Sequence, residues 1–277
     1  MTYSNTRTAE GKSAPFLLLQ FQVGPTLFYR YTDTENAKAY DGDSWEPATF
    51  APEFPGEDGD MKEQTMKLAV QGDLTPALML INRPPSFVCR VTVYEANLLD
   101  QNKEVRLRFA GRVISTKWSD AGTMEITVTP GSTELNLPGR PQIYMRTCGH
   151  VLYGPRCGAT KTTRAMTGAV TDSGVIVLTG YPTGFIEAGA FSRGEISWTN
   201  PETGQIEYRT IGLCENNGSG LSVYVDYPPS GVTAFSIAMG CTHTEAACMD
   251  WHNNILNYGG QPWIPLESPH NRYTEFY

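Results

Sequence analysis

The chain has 277 residues, of which 40% are hydrophobic and 18% are charged, and its formal net charge is −8. This length can bury a substantial core, in one large domain or two smaller ones. The acidic balance disfavours a nucleic-acid-binding protein, which needs a basic face, and no apolar run approaches the roughly 18–20 residues of a membrane span.

The first half of the sequence predicts a series of short strands. Segments 16–21 and 26–31 flank Gly24-Pro25, a pattern that predicts a hairpin. Further strands are predicted at 66–70, 87–94, 105–110, 112–118 and 124–129. A helix is predicted at 75–80, where Pro76 can occupy the first helical position. Regular strands separated by turn residues indicate a mainly β protein, with an N-terminal antiparallel β-barrel or sandwich over residues 1–135.

A second domain is predicted over residues 136–277, after a break rich in Gly and Pro. It begins with a cysteine-bearing loop at 148–157, and a small inserted β module follows at about 165–240. Strands of this module are predicted at 175–178, 195–198, 205–213, 221–227 and 235–238. Gly and Pro are frequent in the chain and Tyr, Thr and Val are plentiful, a composition that favours short strands joined by tight turns.

One C-terminal helix is predicted at about 243–258. Thr242 and Glu245 form a capping-box pattern at its start. Apolar side chains recur behind this pattern at helical spacing, at Cys248, Trp251, Ile255 and Tyr258. Gly259 and Gly260 act as stop signals, and the prolines beyond them prevent the helix from resuming.

The six cysteines call for an explanation other than stable disulfides, because the polar N-terminal segment shows no secretory signal and we expect a reducing cytoplasm. Cys89 and Cys214 fall within or at the end of predicted strands, where a free cysteine commonly behaves as a small buried hydrophobe. The other four form two pairs on either side of the β module: Cys148 with Cys157, and Cys241 with Cys248. If the fold brings the pairs together, they form a four-thiolate site near the positive end of the C-terminal helix.

Spacing alone leaves the occupant of such a site open. Structural zinc is one candidate, although zinc sites usually use more closely spaced cysteines. An iron–sulfur cluster accepts wider and irregular spacing. His150 and His243 each lie two residues after a cysteine and could replace one ligand. Disulfides or unpaired thiols are the alternative to a metal.

Two stretches of the second domain carry a more specific pattern. The first is Cys148-Gly-His-Val-Leu-Tyr-Gly-Pro-Arg-Cys157-Gly. The second runs from Gly240 to Pro265 and contains Cys-x6-Cys followed by Asn-x-Gly-Gly-x-Pro-x-Ile-Pro. Together they resemble the tail-tip proteins of tailed phages, of the minor tail protein L type, and the hub protein of gene transfer agents. The resemblance is motif-specific in this region and only architectural over the N-terminal half.

The resemblance implies a cofactor and a place in an assembly. It implies a [4Fe–4S] cluster, with zinc remaining the alternative, bound by Cys148, Cys157, Cys241 and Cys248. It also implies a structural protein, not an enzyme, that forms a homotrimeric ring at the virion tail tip after assembly in the host cytoplasm. The ring would continue the tail tube and connect it to the distal hub or receptor-binding parts. The expected partners are the distal tail protein ring, the central hub or fibre protein and the tape measure protein, with neither a membrane nor sequence-specific nucleic acid among them.

Two other functions compete with this one. A tail-associated peptidase would need a cysteine nucleophile beside a histidine base, but no nucleophile signature surrounds the cysteines. The pairs to consider are Cys148 with His252 and Cys248 with His150. A carbohydrate-binding adhesin would stack sugar rings on exposed aromatic side chains. We instead expect core or interface positions for Trp118, Trp198 and Trp251.

Overall fold

The computed structural model describes residues 14–40, 42–56, 64–100, 103–119, 122–131, 144–180 and 188–265. Two compact units divide the chain, Met1–Pro138 and Gly139–Tyr277. The predicted boundary at 135/136 lies outside the described residues. Each unit is built on a β-sheet and the described helices are short, which confirms a mainly β protein. Within these ranges, none of the helices has both the length and the hydropathy that crossing a membrane requires.

In the described part of the first unit, nine strands form one sheet. They are β1 (Pro15–Val23), β2 (Leu27–Thr32), β3 (Lys38–Tyr40), β4 (Asp43–Pro47), β5 (Phe50–Glu53), β6 (Met66–Gln71), β7 (Cys89–Asn97), β8 (Val105–Trp118) and β9 (Thr123–Pro130). Their order across the sheet is β3-β4-β2-β1-β7-β8-β9-β6-β5. Neighbours pair antiparallel except β2 and β4, which are parallel. The helix α1 (Thr75–Asn82) has Pro76 in its first turn, as predicted.

The sheet of the first unit packs around a main apolar core, and a smaller apolar cluster is separate from it, formed by Phe16, Leu18, Tyr40, Trp45 and Ala96. Successive side chains of a strand face opposite sides of the sheet, so alternate residues of β1 enter the main core. They are Leu19, Phe21 and Val23. The same core receives Tyr31 from β2 and Phe50 from β5, which stand near opposite ends of the strand order. Between β4 and β5, the Ala48 N–H donates to the Thr32 carbonyl of β2 at 2.9 Å, and the Thr49 carbonyl accepts from the Gln71 N–H of β6 at 3.2 Å, so this short connection joins strands from the two halves of the sheet.

The structure confirms the first hairpin and corrects the prediction for β8. Strands β1 and β2 pair from Val23 opposite Leu27 onward. The sequence predicted two strands separated at Gly111, whereas Val105–Trp118 is continuous. A Cβ at Gly111 would overlap the carbonyl oxygen of Thr129 in β9. This glycine therefore permits a close approach of two strands and does not make a turn.

Seven strands form the sheet in the described part of the second unit. They are β10 (Thr163–Val170), β11 (Ile176–Thr179), β12 (Glu195–Thr199), β13 (Ile206–Thr210), β14 (Leu213–Asn216), β15 (Gly220–Tyr224) and β16 (Ala234–Ala238). Their order is β13-β12-β16-β10-β11-β15-β14. The outermost strands, β13 and β14, follow one another in sequence, and Ile211, one of the two residues between them, is fully buried. The sheet therefore encloses its own core, which includes Phe191, Ile196 and Leu221.

The strand predicted at 205–213 is in fact two strands, β13 and β14. The chain turns a corner between them, where the Ile211 N–H donates to the Gly194 carbonyl at 2.9 Å and the Gly212 N–H donates to Tyr224 at the same distance. Strand β10 was not predicted, because its sequence is rich in Thr, Ala and Gly and poor in large apolar residues. The corner is fixed by hydrogen bonds to residues distant in sequence, Gly194 and Tyr224, and the local sequence pattern at 205–213 does not predict such bonds.

The predicted helix at 243–258 is wrong in length. The observed helix, α2, spans only Glu245–Asp250 and is followed by a 3-10 turn at Ile255–Asn257. Its N-cap is Thr244 and not Thr242, because the Thr244 hydroxyl accepts the Ala247 N–H at 3.3 Å. The helical path ends because Asn253 adopts a left-handed backbone with φ of 47°.

Candidate functional site

The four cysteines of the predicted site come together in the second unit. They lie on the cysteine loop, on the turn after β16 and on α2. The backbone N–H of Cys148 donates to the His243 carbonyl, just before α2, at 2.8 Å. The Asn254 side chain donates to the Cys157 carbonyl at 2.6 Å, and its backbone N–H donates to the Cys248 carbonyl at 2.9 Å. Hydrogen bonds between the loop and the region around α2 therefore hold the two cysteine pairs together.

The four thiols lie close enough to affect one another's ionisation. Burial raises the pKa of Cys248, and the neighbouring thiols raise it further because like charges disfavour a second thiolate. Those neighbours are Cys241, Cys148 and Cys157. Burial also raises the pKa of Cys241, against which the His243 N–H acts by hydrogen bonding to the sulfur. Cys241 and Cys248 are buried, Cys148 and Cys157 are partly exposed, and all six cysteines of the chain are free of disulfides.

Backbone and side-chain N–H groups point at three of these four sulfur atoms. The pairs are Gly259 with Cys148 at 3.3 Å, His243 with Cys241 at 3.3 Å, and the Asn254 side chain with Cys157 at 3.8 Å. The fourth sulfur, of Cys248, donates to the Asn254 carbonyl at 3.2 Å. An N–H directed at sulfur stabilises a thiolate, and such hydrogen bonds tune iron–sulfur sites.

His150 packs against the segment that supplies one of these N–H groups. A Cβ on Gly259 would lie 2.5 Å from Cε1 and Nε2 of His150, so only glycine leaves room for the ring. The Nδ1 atom of the ring lies 3.1 Å from the Asn257 carbonyl oxygen. The sequence left open that His150 or His243 replaces a cysteine ligand. In the structure the His150 ring contacts the Asn257 carbonyl, and His243 contacts the Cys241 sulfur through its backbone N–H. In the described residues, no three or more His, Cys, Asp or Glu side chains converge closely enough to hold a single metal ion.

Four non-glycine residues around the site have left-handed backbone conformations. They are Tyr153 (φ 59°), Arg193 (61°), His243 (59°) and Asn253 (47°). Each such conformation costs roughly 1–2 kcal/mol and persists only where the surroundings impose it. The Tyr153 hydroxyl donates to the Met239 carbonyl at 2.7 Å, which fixes the cysteine loop against the end of β16. Arg193 and His243 also line an open cleft of about 540 Å³ beside Cys148. Strain of this kind is typical of functional sites.

Comparison with known proteins shows that the chain is similar to phage and gene transfer agent proteins. Residues 189–268, which include α2 and Asn254, match the family described as "Phage conserved hypothetical protein BR0599". Among solved structures, a chain of "Virion of native gene transfer agent (GTA) particle" is similar with a TM-score of 0.74 and 20% identity. The match covers 98% of this chain and 94% of that chain. The whole chain shares that fold. No curated protein matches the sequence.

The contacts of the histidines do not favour the peptidase hypothesis. The His252 ring places Nε2 2.8 Å from the Gly240 carbonyl oxygen and meets Tyr153 edge-on. The Nδ1 atom of His150 lies against a carbonyl oxygen as well. Both rings therefore have contacts that hold the fold, whereas a general base needs hydrogen-bond reach to its nucleophile.

Cys89 and Cys214 are buried in the two cores, as predicted. Burial raises the pKa of Cys89 to about 12, and burial, with a contribution from Glu215, raises that of Cys214 to about 11. A thiol that stays protonated is a poor nucleophile and a poor ligand. Cys89 lies on β7 and Cys214 on β14, and neither lies on the cysteine loop, the turn after β16 or α2, which carry the four-cysteine site.

The tryptophan side chains that an adhesin could use differ in solvent exposure. Trp198 is buried against Phe235, as expected for a core residue. Trp118 is not a core residue, because 48% of it is exposed at the end of β8. Trp251 is half-buried beside the site, and Trp263 is 93% exposed. Sequence periodicity did not single out Trp263, since it follows the last predicted helix.

Proposed function

We propose that this chain is a structural component of a phage-like virion, located at the tail tip. The observation that carries the proposal is the shared fold with a gene transfer agent virion chain over nearly the full length of both. The phage family match over residues 189–268 points the same way. In this role the chain forms a homotrimeric ring that continues the tail tube and connects it to the distal hub or receptor-binding parts. Its partners are the distal tail protein ring, the central hub or fibre protein and the tape measure protein.

Exposed apolar side chains support a role within an assembly. On β8, Leu107 and Ile114 are each more than half exposed. In the second unit, Leu256 is 96% exposed and Trp263 is 93% exposed. Large apolar side chains at such exposure are typical of surfaces that become buried against a partner. The edge strands β3 and β5 are only three and four residues long, which limits unwanted edge pairing before assembly.

We further propose that the four-cysteine site binds a [4Fe–4S] cluster. The donor set fits, because four thiols meet in one region and N–H groups point at three of the sulfurs. A single ion such as zinc needs its ligands at one point, whereas each thiolate of a cluster binds a different iron. When bound, the cluster supplies a covalent connection between the cysteine loop, the turn after β16 and α2. Such a connection stabilises a region whose α-helix, α2, is six residues long.

The cofactor proposal predicts a brown protein. Protein purified without oxygen is expected to show broad absorption near about 400 nm and to contain roughly four irons and four sulfides per chain. Metal analysis, acid-labile sulfide analysis and absorption spectra test this directly. A colourless protein with one zinc per chain would overturn the cluster proposal and leave the virion proposal standing.

The location has a test of its own. Antibodies raised against the second unit, applied to intact particles from the producing host, are expected to label the end of the tail distal to the capsid in electron micrographs. Light scattering of the purified protein is expected to give three times the mass of one chain. Label on the capsid, or along the whole tail, would contradict a tail-tip location.

A further inference from the structure

We propose that Asn254 is the positioning residue of the four-cysteine site. It is not a ligand. Its side chain holds the cysteine loop against the segment that follows α2 and directs an N–H at the Cys157 sulfur. The inference rests on the proposed cluster, and it adds the residue that sets the geometry and electrostatics of two of the four ligands.

Asn254 touches one cysteine of each pair. Its Nδ2 atom lies 2.6 Å from the Cys157 carbonyl oxygen and 3.8 Å from the Cys157 sulfur. Its backbone N–H donates to the Cys248 carbonyl at 2.9 Å, and its own carbonyl accepts from the Cys248 sulfur at 3.2 Å. One residue therefore joins two cysteines that are far apart in sequence. The Tyr153 and Tyr258 hydroxyls also join these segments, through the carbonyls of Met239, Arg146 and His243, whereas the Asn254 side chain contacts a cysteine directly.

The orientation of the Asn254 amide is fixed by Asn257. The Nδ2 atom of Asn257 donates to Oδ1 of Asn254 at 2.7 Å, so Nδ2 of Asn254 must face the cysteine loop. The Asn257 carbonyl is in turn 3.1 Å from Nδ1 of His150, which belongs to the loop. Contacts thus run from Cys157 through Asn254 and Asn257 back to the same loop.

The chemistry at this position requires an amide. Asparagine offers N–H donors to the Cys157 carbonyl and sulfur and, at the same time, an acceptor to Asn257. Aspartate has the same shape but only accepts hydrogen bonds, so its oxygens would repel the Cys157 carbonyl and place a negative charge beside the thiolates. Loss of an outer partner of a metal ligand typically costs about 10–100-fold in metal affinity.

The test compares Asn254→Asp with Gln261→Glu in the purified holoprotein. Gln261 is exposed in the same C-terminal segment and its backbone N–H donates to the Met145 carbonyl at 2.8 Å, so its substitution makes the same amide-to-carboxylate change without altering that backbone contact. Asn254→Asp is expected to speed iron loss to a chelator by at least about tenfold and to lower the reduction potential of the cluster. Gln261→Glu is expected to match the wild type in both measurements. Equal behaviour of the two variants would overturn the inference while leaving the cluster in place.

Two further measurements keep the test decisive. If Asn254→Asp does not fold, Asn257→Ala removes only the donor that orients the amide, and a smaller acceleration of iron loss is expected. In metal-free protein, hydrogen exchange in the cysteine loop is expected to accelerate in Asn254→Asp and not in Gln261→Glu. Unchanged rates in both measurements would reject the positioning role. A wild-type protein without iron would reject the cluster proposal and this inference with it.

Discussion

Cys248→Ser is expected to give a folded protein that lacks iron, sulfide and the absorption near about 400 nm. The serine hydroxyl can still donate to the Asn254 carbonyl, which accepts from the Cys248 sulfur at 3.2 Å, so the local hydrogen bond survives while a thiolate ligand is lost. Because a bound cluster connects segments that share no large core, its loss should cost about 3 kcal/mol or more. For a domain of this size that corresponds to a fall of about 6–12 °C in the unfolding temperature, measured by calorimetry without oxygen.

The matched controls are Cys214→Ala and Cys89→Ala. Both thiols are buried, 3% and 4% exposed, and each belongs to the apolar core of a sheet. These variants are expected to lose some stability through the small cavity but to retain a full complement of iron. If Cys248→Ser kept its iron and its unfolding temperature, the assignment of Cys248 as a ligand would be wrong. Loss of iron in all variants alike would mean that iron depends on general stability and not on these ligands.

The parts of the fold that follow local patterns were predictable from the sequence. Strand β1 alternates between the two faces of the sheet and precedes a Gly-Pro turn, so both strands of the first hairpin were predicted. Gly111 and Gly168, by contrast, lie within strands and do not mark turns. A Cβ at Gly111 would overlap Thr129, and one at Gly168 would overlap Val177, so both glycines serve strand contact. A sequence read without its partners cannot distinguish a glycine that turns the chain from one that permits close approach.

The sequence brings out four candidate cysteines, whose role as ligands stays a prediction, but not the residues that contact them. The spacing of the cysteines separated four from two, and Cys89 and Cys214 belong to the apolar cores, as that division predicts. The helical periodicity through Ile255 and Tyr258 was misleading, because the chain leaves the helix at Asn253. That departure brings Asn254 to Cys157 and the Gly259 N–H to Cys148. The contacts are made by ordinary polar and small residues, and a longer helix would have prevented them.

Gly240→Ala is expected to destabilise the second unit by about 3 kcal/mol or more and to deplete it of iron. A Cβ at this position would overlap the Ser192 carbonyl oxygen and lie 2.6 Å from the Gly194 nitrogen. Both are backbone atoms, so no side-chain rotation can relieve the overlap and the chain itself must move. The Gly240 N–H donates to Ala190 at 2.7 Å, and Cys241 is the next residue, so this movement displaces a candidate ligand.

Gly189→Ala is the matched control for this effect. Gly189 belongs to the 3-10 turn Ala188–Phe191, which packs beside Gly240, but a Cβ there meets no atom within 4 Å. Its substitution should change the free energy of unfolding by no more than about 0.5 kcal/mol. The free energy of unfolding in urea and the iron content of both variants, measured side by side, test whether the overlap at Gly240 destabilises the second unit. Because a Cβ at Gly240 meets only backbone, a Gly240→Ala protein that unfolds like Gly189→Ala and keeps its iron would show that the turn and the end of β16 are further apart than the structure places them.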